Sequence, residues 1–401
     1  MRQAAGTRIS YHMKKPKSNK CDSVSPVETI HTGSKHKGHK PGMALCLSGG
    51  GYRAMLFHVG ALWRLNETGF LKKLDRISSV SGGSITAGVL GMNWNKLDFD
   101  EKGVARYFES CVVEPIRRFS GITIDVPSVI GGIVTPGVKI SDEVAAEYRT
   151  HLFGDATLQD LPNRPRFVIN ATNVQSGALW RFMKPYMADW RVGKVEKPDI
   201  ALAVAVAASS AFPPILSPVT MKLTSSSYAP KGKYEDLHYE PFMTDVVLTD
   251  GGVYDNLGLE TAWKRYDTIL VSDAGAKMEA QGDPWRDWAM QYLRITDLID
   301  NQVRNLRKLQ VVGSFVNDSR KGAYWGIRTD IGHYKLANAL PCPFKRTMEL
   351  AHVGTRMGQL EPEMQERLIN WGYAVCDAAL RRHVDHRLPR PKGFVYPKAK
   401  V

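Results

Sequence analysis

The chain has 401 residues, 43% of them apolar, which is the share of an ordinary globular protein and enough for a sizeable core in one large domain or two small ones. Its five cysteines are odd in number and scattered without a C-x-x-C pair, which excludes a structural zinc site and fits a reducing compartment. The formal charge of +14 attracts phosphate-rich partners, nucleic acid or anionic lipid headgroups, without separating the two.

The N-terminus lacks the apolar core and cleavage site of a secretory signal. The longest weakly charged stretch, Gly121 to Val138, is broken by Asp125, Pro127, Gly131, Gly132 and Pro136 and falls short of the ~20 apolar residues of a spanning helix. A cytoplasmic protein, soluble or peripheral at a membrane, is therefore expected.

Residues 1–40 are rich in Lys, Ser, His and Gly and nearly free of large apolar residues, which predicts a disordered basic tail. Lys14, Lys15, Lys17 and Lys20 lack an attached reading module or interleaved aromatics, so no nucleic acid is expected. The tail is instead a candidate for electrostatic contact with an anionic membrane.

Met43 to Leu47 is a short apolar run that predicts a strand. It leads into Ser48-Gly49-Gly50-Gly51 and then a helical pattern from Tyr52 to Asn66 that closes near Gly69. A second strand, Ile77 to Val80, follows, so the unit is a right-handed parallel crossover of about 30 residues with both following loops at one sheet edge. Glycines between a strand and a helix leave backbone amides free to bind an anion. Three readings stay open for this loop alone: a tight turn, a nucleotide site lacking the P-loop and G-x-G-x-x-G signatures, or an oxyanion hole. His58, on the helix, has no assigned role.

The second loop, Ser78-Ser79-Val80-Ser81-Gly82-Gly83-Ser84, leads toward a helical stretch from Ile85 to Leu90. A nucleophile elbow needs small residues two positions before and after its serine, and Ser79 and Gly83 meet that need for Ser81. Ser84 is a rival, flanked by Gly82 and the bulkier Thr86. Farther on, Ile122 to Val138 could form an apolar flap over a cleft. Strands are expected at Phe167 to Ala171, Val246 to Leu248 and Thr268 to Ser272, with a helix from Ile200 to Ala208. Thr249-Asp250-Gly251-Gly252 offers a carboxylate at a sheet edge as a base for a serine, with Asp273 a weaker competitor. After Gly275 the pattern is helical, notably Trp285 to Leu309 and Pro362 to Arg381. The elements predict an α/β fold with a mostly parallel sheet.

Together the glycine loop, the serine elbow and Asp-Gly-Gly resemble the patatin-like phospholipase family, in the variant with arginine in Ser-Gly-Gly-Gly-Tyr-Arg-Ala. Ala208-Ser209-Ser210-Ala211-Phe212-Pro213-Pro214 is similar to the segment that family packs behind its active site. Ser79 stands where the elbow's first glycine is usual, and Ser48 where patatins often carry Asp. The resemblance implies a three-layer α/β/α catalytic domain over residues 41–275, with residues 276–401 a helical extension packed on it. It implies a Ser81–Asp250 dyad acting through an acyl-enzyme on phospholipid or lysophospholipid, with no metal or other cofactor. Gly49, Gly50 and Gly51 would form the oxyanion hole, and Arg53 would bring positive charge to the substrate phosphate. Two alternatives stand beside it: a Ser-Asp-His triad, for which His333 comes nearest among the downstream histidines, and a non-catalytic anion-binding protein of the same fold.

Overall fold

The computed structural model describes residues 39–124, 140–213, 216–354 and 357–401. Almost all of the expected basic tail and of the expected flap, residues 1–38 and 125–138, lies outside them.

The first strand, β1 (Lys40–Leu47), is buried over its second half, and α1 (Gly51–Glu67) follows after three residues. The chain returns through β2 (Arg76–Val80), all five of whose residues are buried, and enters α2 (Gly82–Met92). Strands this buried are covered on both faces, as parallel strands are. β3 (Arg166–Asn173), β4 (Ala178–Phe182), β5 (Tyr186–Asp189) and β6 (Gly193–Glu196) follow, then α3 (Leu202–Ser209), a helix apolar on all sides and accordingly buried. β7 (Val219–Lys222), β8 (Asp245–Asp250) and β9 (Tyr266–Asp273) precede a long helix, α4 (Trp288–Val316), then β10 (Lys321–Gly326) and α5 (Pro362–His383).

Ten described strands form one mixed sheet in the order β10-β9-β1-β2-β3-β4-β5-β6, with β8 added on β3 and β7 on β8. The five strands from β10 to β3 are parallel. From β3 outward the pairs are antiparallel. The fold is therefore the expected mixed, mostly parallel central sheet with helices on its faces and a helical C-terminal region. Two features differ from the sequence reading. β10 extends the sheet within the region read as helical, because Lys321-Gly-Ala-Tyr-Trp-Gly326 carries two glycines that mask a strand pattern. β8 is antiparallel to β3, yet its register sets Asp250 opposite Ala171, and Asn170 sits opposite Val80. Asp250 thus reaches the elbow from the opposite direction. β1 has its sequential neighbour β2 on one side and β9 on the other, so a crevice opens outside its carboxyl end.

α1 carries the first glycine loop, and α5 fixes its position. A Cβ on Gly60 would lie 1.9 Å from the Ile369 carbonyl oxygen, and one on Gly372 would lie 1.9 Å from that of Phe57. Each helix presents a glycine to the other's backbone. Asp377 joins them further along, accepting from Arg64 Nε and Arg381 Nε at 2.9 Å each. Gly372→Ala is therefore expected to lower stability by at least about 1–3 kcal/mol through forced separation of α1 and α5. Gly313→Ala, in α4 with nothing within 4 Å of its new methyl, is expected to be neutral or to raise stability by up to about 1 kcal/mol. Thermal unfolding of the two variants checks this, and equal effects would contradict the packing.

Candidate active site

β1 ends at Leu47, and the next residues are tied down one by one. Ser48 donates its amide to the Ser272 carbonyl at 3.1 Å, and Gly49 donates its own to the Asn256 carbonyl at 3.1 Å. Gly50 then takes φ 138° and Gly51 φ 57°, conformations that a side chain would strain. No described residue accepts from the Gly50 or Gly51 amide. Two of the three glycines expected to supply oxyanion donors therefore keep free amides. Gly49 does not, because its N–H is spent on Asn256.

Below the loop, His58 is wholly buried between Ser272 Oγ at 2.8 Å from Nδ1 and the Ser48 carbonyl at 2.9 Å from Nε2. The Ser48 carbonyl can only accept, so the proton of the neutral ring sits on Nε2, and the Ser272 hydroxyl, which accepts from Trp325 Nε1 at 3.0 Å, donates to Nδ1. Burial depresses its pKa to about 4, and the imidazole stays neutral. This residue supports the loop from beneath, a role that no sequence pattern announced.

Ser81 sits between β2 and α2 at φ 52°, ψ −125°, a left-handed conformation costly for a residue with a side chain. The turn is this sharp because the first loop lies against it. A Cβ on Gly82 would be 2.2 Å from the Gly51 carbonyl oxygen, and one on Gly83 would be 2.6 Å from that of Leu47. The Ser81 amide donates to Ser209 Oγ at 3.0 Å, and Ser209 Oγ donates to the Asn170 carbonyl at 2.6 Å. Ser84, the rival serine, is fully buried beneath the elbow, bonded to Ser79 Oγ at 3.0 Å and Ser209 Oγ at 2.9 Å. Ser81 opens into the cleft and Ser84 does not. The amide of Gly82 also lacks an acceptor among the described residues, and Gly82 lines the same cleft. It is a third candidate donor that the sequence reading passed over.

Asp250 ends β8. Its amide donates to the Ala211 carbonyl at 2.9 Å, its carbonyl accepts from Thr172 Oγ1 at 2.8 Å, and its Oδ1 accepts from the Gly252 amide at 2.6 Å. Ser209 and Ala211 thus hold both the elbow and the acid turn, while Ser210, Phe212 and Pro213 of the same segment line the cleft; Pro214 lies outside the described residues. Burial raises the Asp250 carboxyl from 3.8 to about 7, the Gly252 amide and the Ser81 hydroxyl pulling the other way. Oδ2 is buried with no regular hydrogen bond.

Asp273, the weaker competitor, has the opposite environment. Burial would raise its pKa as well, but Lys308 at 3.1 Å, Arg304 and the Tyr324 hydroxyl at 2.6 Å hold it well below the carboxylate range. It is a fixed anion. Arg53 also departs from expectation, because it is buried and every guanidinium nitrogen donates to a backbone carbonyl: Nε and Nη2 to Ala274, Nη1 to Val353. Its charge ties the loop to the end of β9, and Arg53 also stands in the lining of the cleft.

These groups open onto a cleft of about 810 Å³. The apolar part of its described lining includes Ile85, Ile124, Phe212, Leu216 and Met357, and the charged part Lys277, Arg294, Asp297, Asp300 and Arg304. None of its described lining residues is a histidine. His333 is an exposed residue outside the lining, and His352 is paired with Glu279 at 2.9 Å beside the rim.

Solved structures to which the chain is similar include human GIVD cytosolic phospholipase A2 bound to methyl gamma-linolenyl fluorophosphonate. It is 14% identical, with 84% of this chain and 57% of that one covered and a TM-score of 0.49. Another is VipD from Legionella pneumophila, 15% identical, with 86% and 67% covered and a TM-score of 0.35. This chain spans about half the length of the human enzyme. No curated protein sequence matches it significantly. The sequence profile of the family described as Patatin-like phospholipase matches residues 45–263, from within β1 through Ser81 and Asp250 almost to β9. With more than half of the chain under that match, the protein belongs to the patatin-like phospholipase family.

Proposed function

We propose that the protein is a serine lipid acyl hydrolase of the phospholipase A or lysophospholipase type, with Ser81 as nucleophile and Asp250 as its base. One observation carries the reading: a fully buried carboxylate without a counter-charge, titrating near neutrality beside a strained serine that faces two free glycine amides. Ser81 Oγ attacks the ester carbonyl carbon as its proton passes to Asp250. The negative charge on the carbonyl oxygen falls to the amides of Gly50, Gly51 and Gly82. Collapse expels the alcohol, which takes the proton from Asp250 and leaves an acyl-serine. Water, deprotonated by Asp250, then releases the fatty acid. The apolar part of the cleft suits an acyl chain and the polar part a headgroup. With no histidine among the described lining residues, a triad has less support than the dyad.

A fluorophosphonate probe labels only an activated serine. Labelling is expected at Ser81, lost in Ser81→Ala and kept within about tenfold in rate in Ser84→Ala, read by mass mapping of the modified peptide. Label on Ser84 would overturn Ser81 as the nucleophile, and no label on the folded protein would leave the anion-binding alternative standing.

The acid has a stability signature of its own. Its folded pKa of about 7 exceeds the ordinary value of 3.8, so between those pH values the folded state holds a proton that the unfolded chain has lost. The folded state therefore loses stability as pH rises from about 4 to about 7, by up to about 4 kcal/mol. Asp250→Asn removes that cost. The variant is expected to lose ester hydrolysis by several orders of magnitude yet to unfold at a higher temperature than wild type at pH 8, with the gain vanishing near pH 4. A variant less stable at pH 8 would contradict the uncompensated burial, and His333→Ala as damaging to activity as Asp250→Asn would favour the triad.

A further inference from the structure

α4 is built inside out for a helix on a protein surface. Its charged residues turn toward the sheet and the cleft. Lys308 pairs with Asp273 at 3.1 Å, Arg307 with Glu260 at 3.4 Å, and Arg304 donates to the Ala276 carbonyl at 2.6 Å. Arg294, Asp297 and Asp300, with Arg304, line the cleft. The opposite side carries Trp288, Tyr292, Ile295, Ile299, Leu306 and Leu309, all exposed, Trp288 at 85% and Leu309 at 69%. At 100° per residue these six lie in one stripe, and no charged residue of the helix falls within about 60° of either edge of it. An apolar face of this size on a water-soluble surface marks a contact.

We propose that this outer face of α4 is the surface by which the protein docks on a lipid bilayer, lying in the plane of the interface. The proposal rests on the hydrolase reading in one respect: the inner face of the same helix lines the cleft offered to an acyl lipid, so docking there brings the cleft mouth to the bilayer. Three further observations favour lipid over a second protein surface. Positions immediately beside the stripe, Thr296 and Val303 on one side and Leu298 and Asn305 on the other, are uncharged, whereas paired helices commonly set partner and orientation by charges there. The uncharged arc is wider than the two-position seam of a helix pair. Trp285, Trp288 and Tyr292 gather at one end, where aromatic residues suit the headgroup level. The helix does not cross the bilayer, since its inner face is charged and no described helix is long and apolar enough to span.

Docking by apolar burial differs from docking by a basic tail in its salt response. Binding of the full chain to neutral phosphatidylcholine vesicles is measured by flotation, using the Ser81→Ala protein so that turnover cannot alter the membrane. It is expected to hold within about twofold between about 0.1 M and about 1 M NaCl, where the Debye length falls from about 10 to about 3 Å. Adding Ile295→Asp and Ile299→Asp is expected to weaken it at least about tenfold. The same pair of substitutions on an active Ser81 background should leave hydrolysis of a short-chain soluble ester unchanged, because neither residue lines the cleft. Binding only to anionic vesicles and lost in salt would overturn the proposal. So would a wild-type dimer that ignores vesicles and that the double variant makes monomeric. Salt-resistant docking lost in the double variant, in a wild type that hydrolyses no ester, would sustain the docking surface and reject the hydrolase reading.

Discussion

The constraint on which the site depends is the burial of Asp250 without a counter-charge. A carboxylate in an apolar, solvent-excluded position resists ionisation, and most proteins answer by placing a cation beside it. This fold does so for Asp273, which Lys308, Arg304 and Tyr324 hold as a permanent anion. Asp250 receives only the Gly252 amide and the Ser81 hydroxyl, and one of its oxygens goes without a regular partner. The two acids end β8 and β9, strands consecutive in the chain but separated in the sheet by β1, β2 and β3, and they differ almost wholly in their surroundings. That difference turns one into a structural anion and poises the other to exchange a proton near neutral pH.

Around that acid the backbone is locked by close approach. Gly82 and Gly83 let the elbow touch the first loop, and Gly60 and Gly372 let α1 and α5 meet at backbone distance. His58 fixes the loop from below through Ser272 and Ser48. The strain at Ser81 is sustained because both loops and Ser209 together leave the turn no other course. The site is thus prepared before any ligand arrives, as electrostatic stabilisation of a developing oxyanion requires.

Much of this was legible in the sequence because glycine next to a strand end has few physical uses. The strands that carry the glycine loop, Ser81 and Asp250, the crossover between the first two of them and the two helices flanking the elbow all stand close to where periodicity set them. Contacts made by groups distant in the chain were not legible. Nothing in Ser-Gly-Gly-Gly shows that Asn256 will take the Gly49 amide, or that Arg53 will spend its guanidinium on Ala274 and Val353. The direction of β8 was hidden as well, since an apolar run reads the same in a parallel or an antiparallel partner. α4 offers the sharpest lesson. Periodicity tells which residues share a face but not whether that face is turned to the core, and here the cleft and Asp273 claim the charged side.

If an uncompensated acid acting directly on serine is the centre of the chemistry, its titration must appear in the rate. The most direct measurement is kcat/KM for a soluble ester against pH, in wild type and in Asp300→Asn. Only ionised Asp250 accepts the serine proton, so the profile should rise to a plateau through a single limb near pH 7. Asp300 adds a repulsive charge, and its removal should move that limb to lower pH. A limb near pH 4, or one unmoved by Asp300→Asn and abolished by loss of a histidine, would contradict the account.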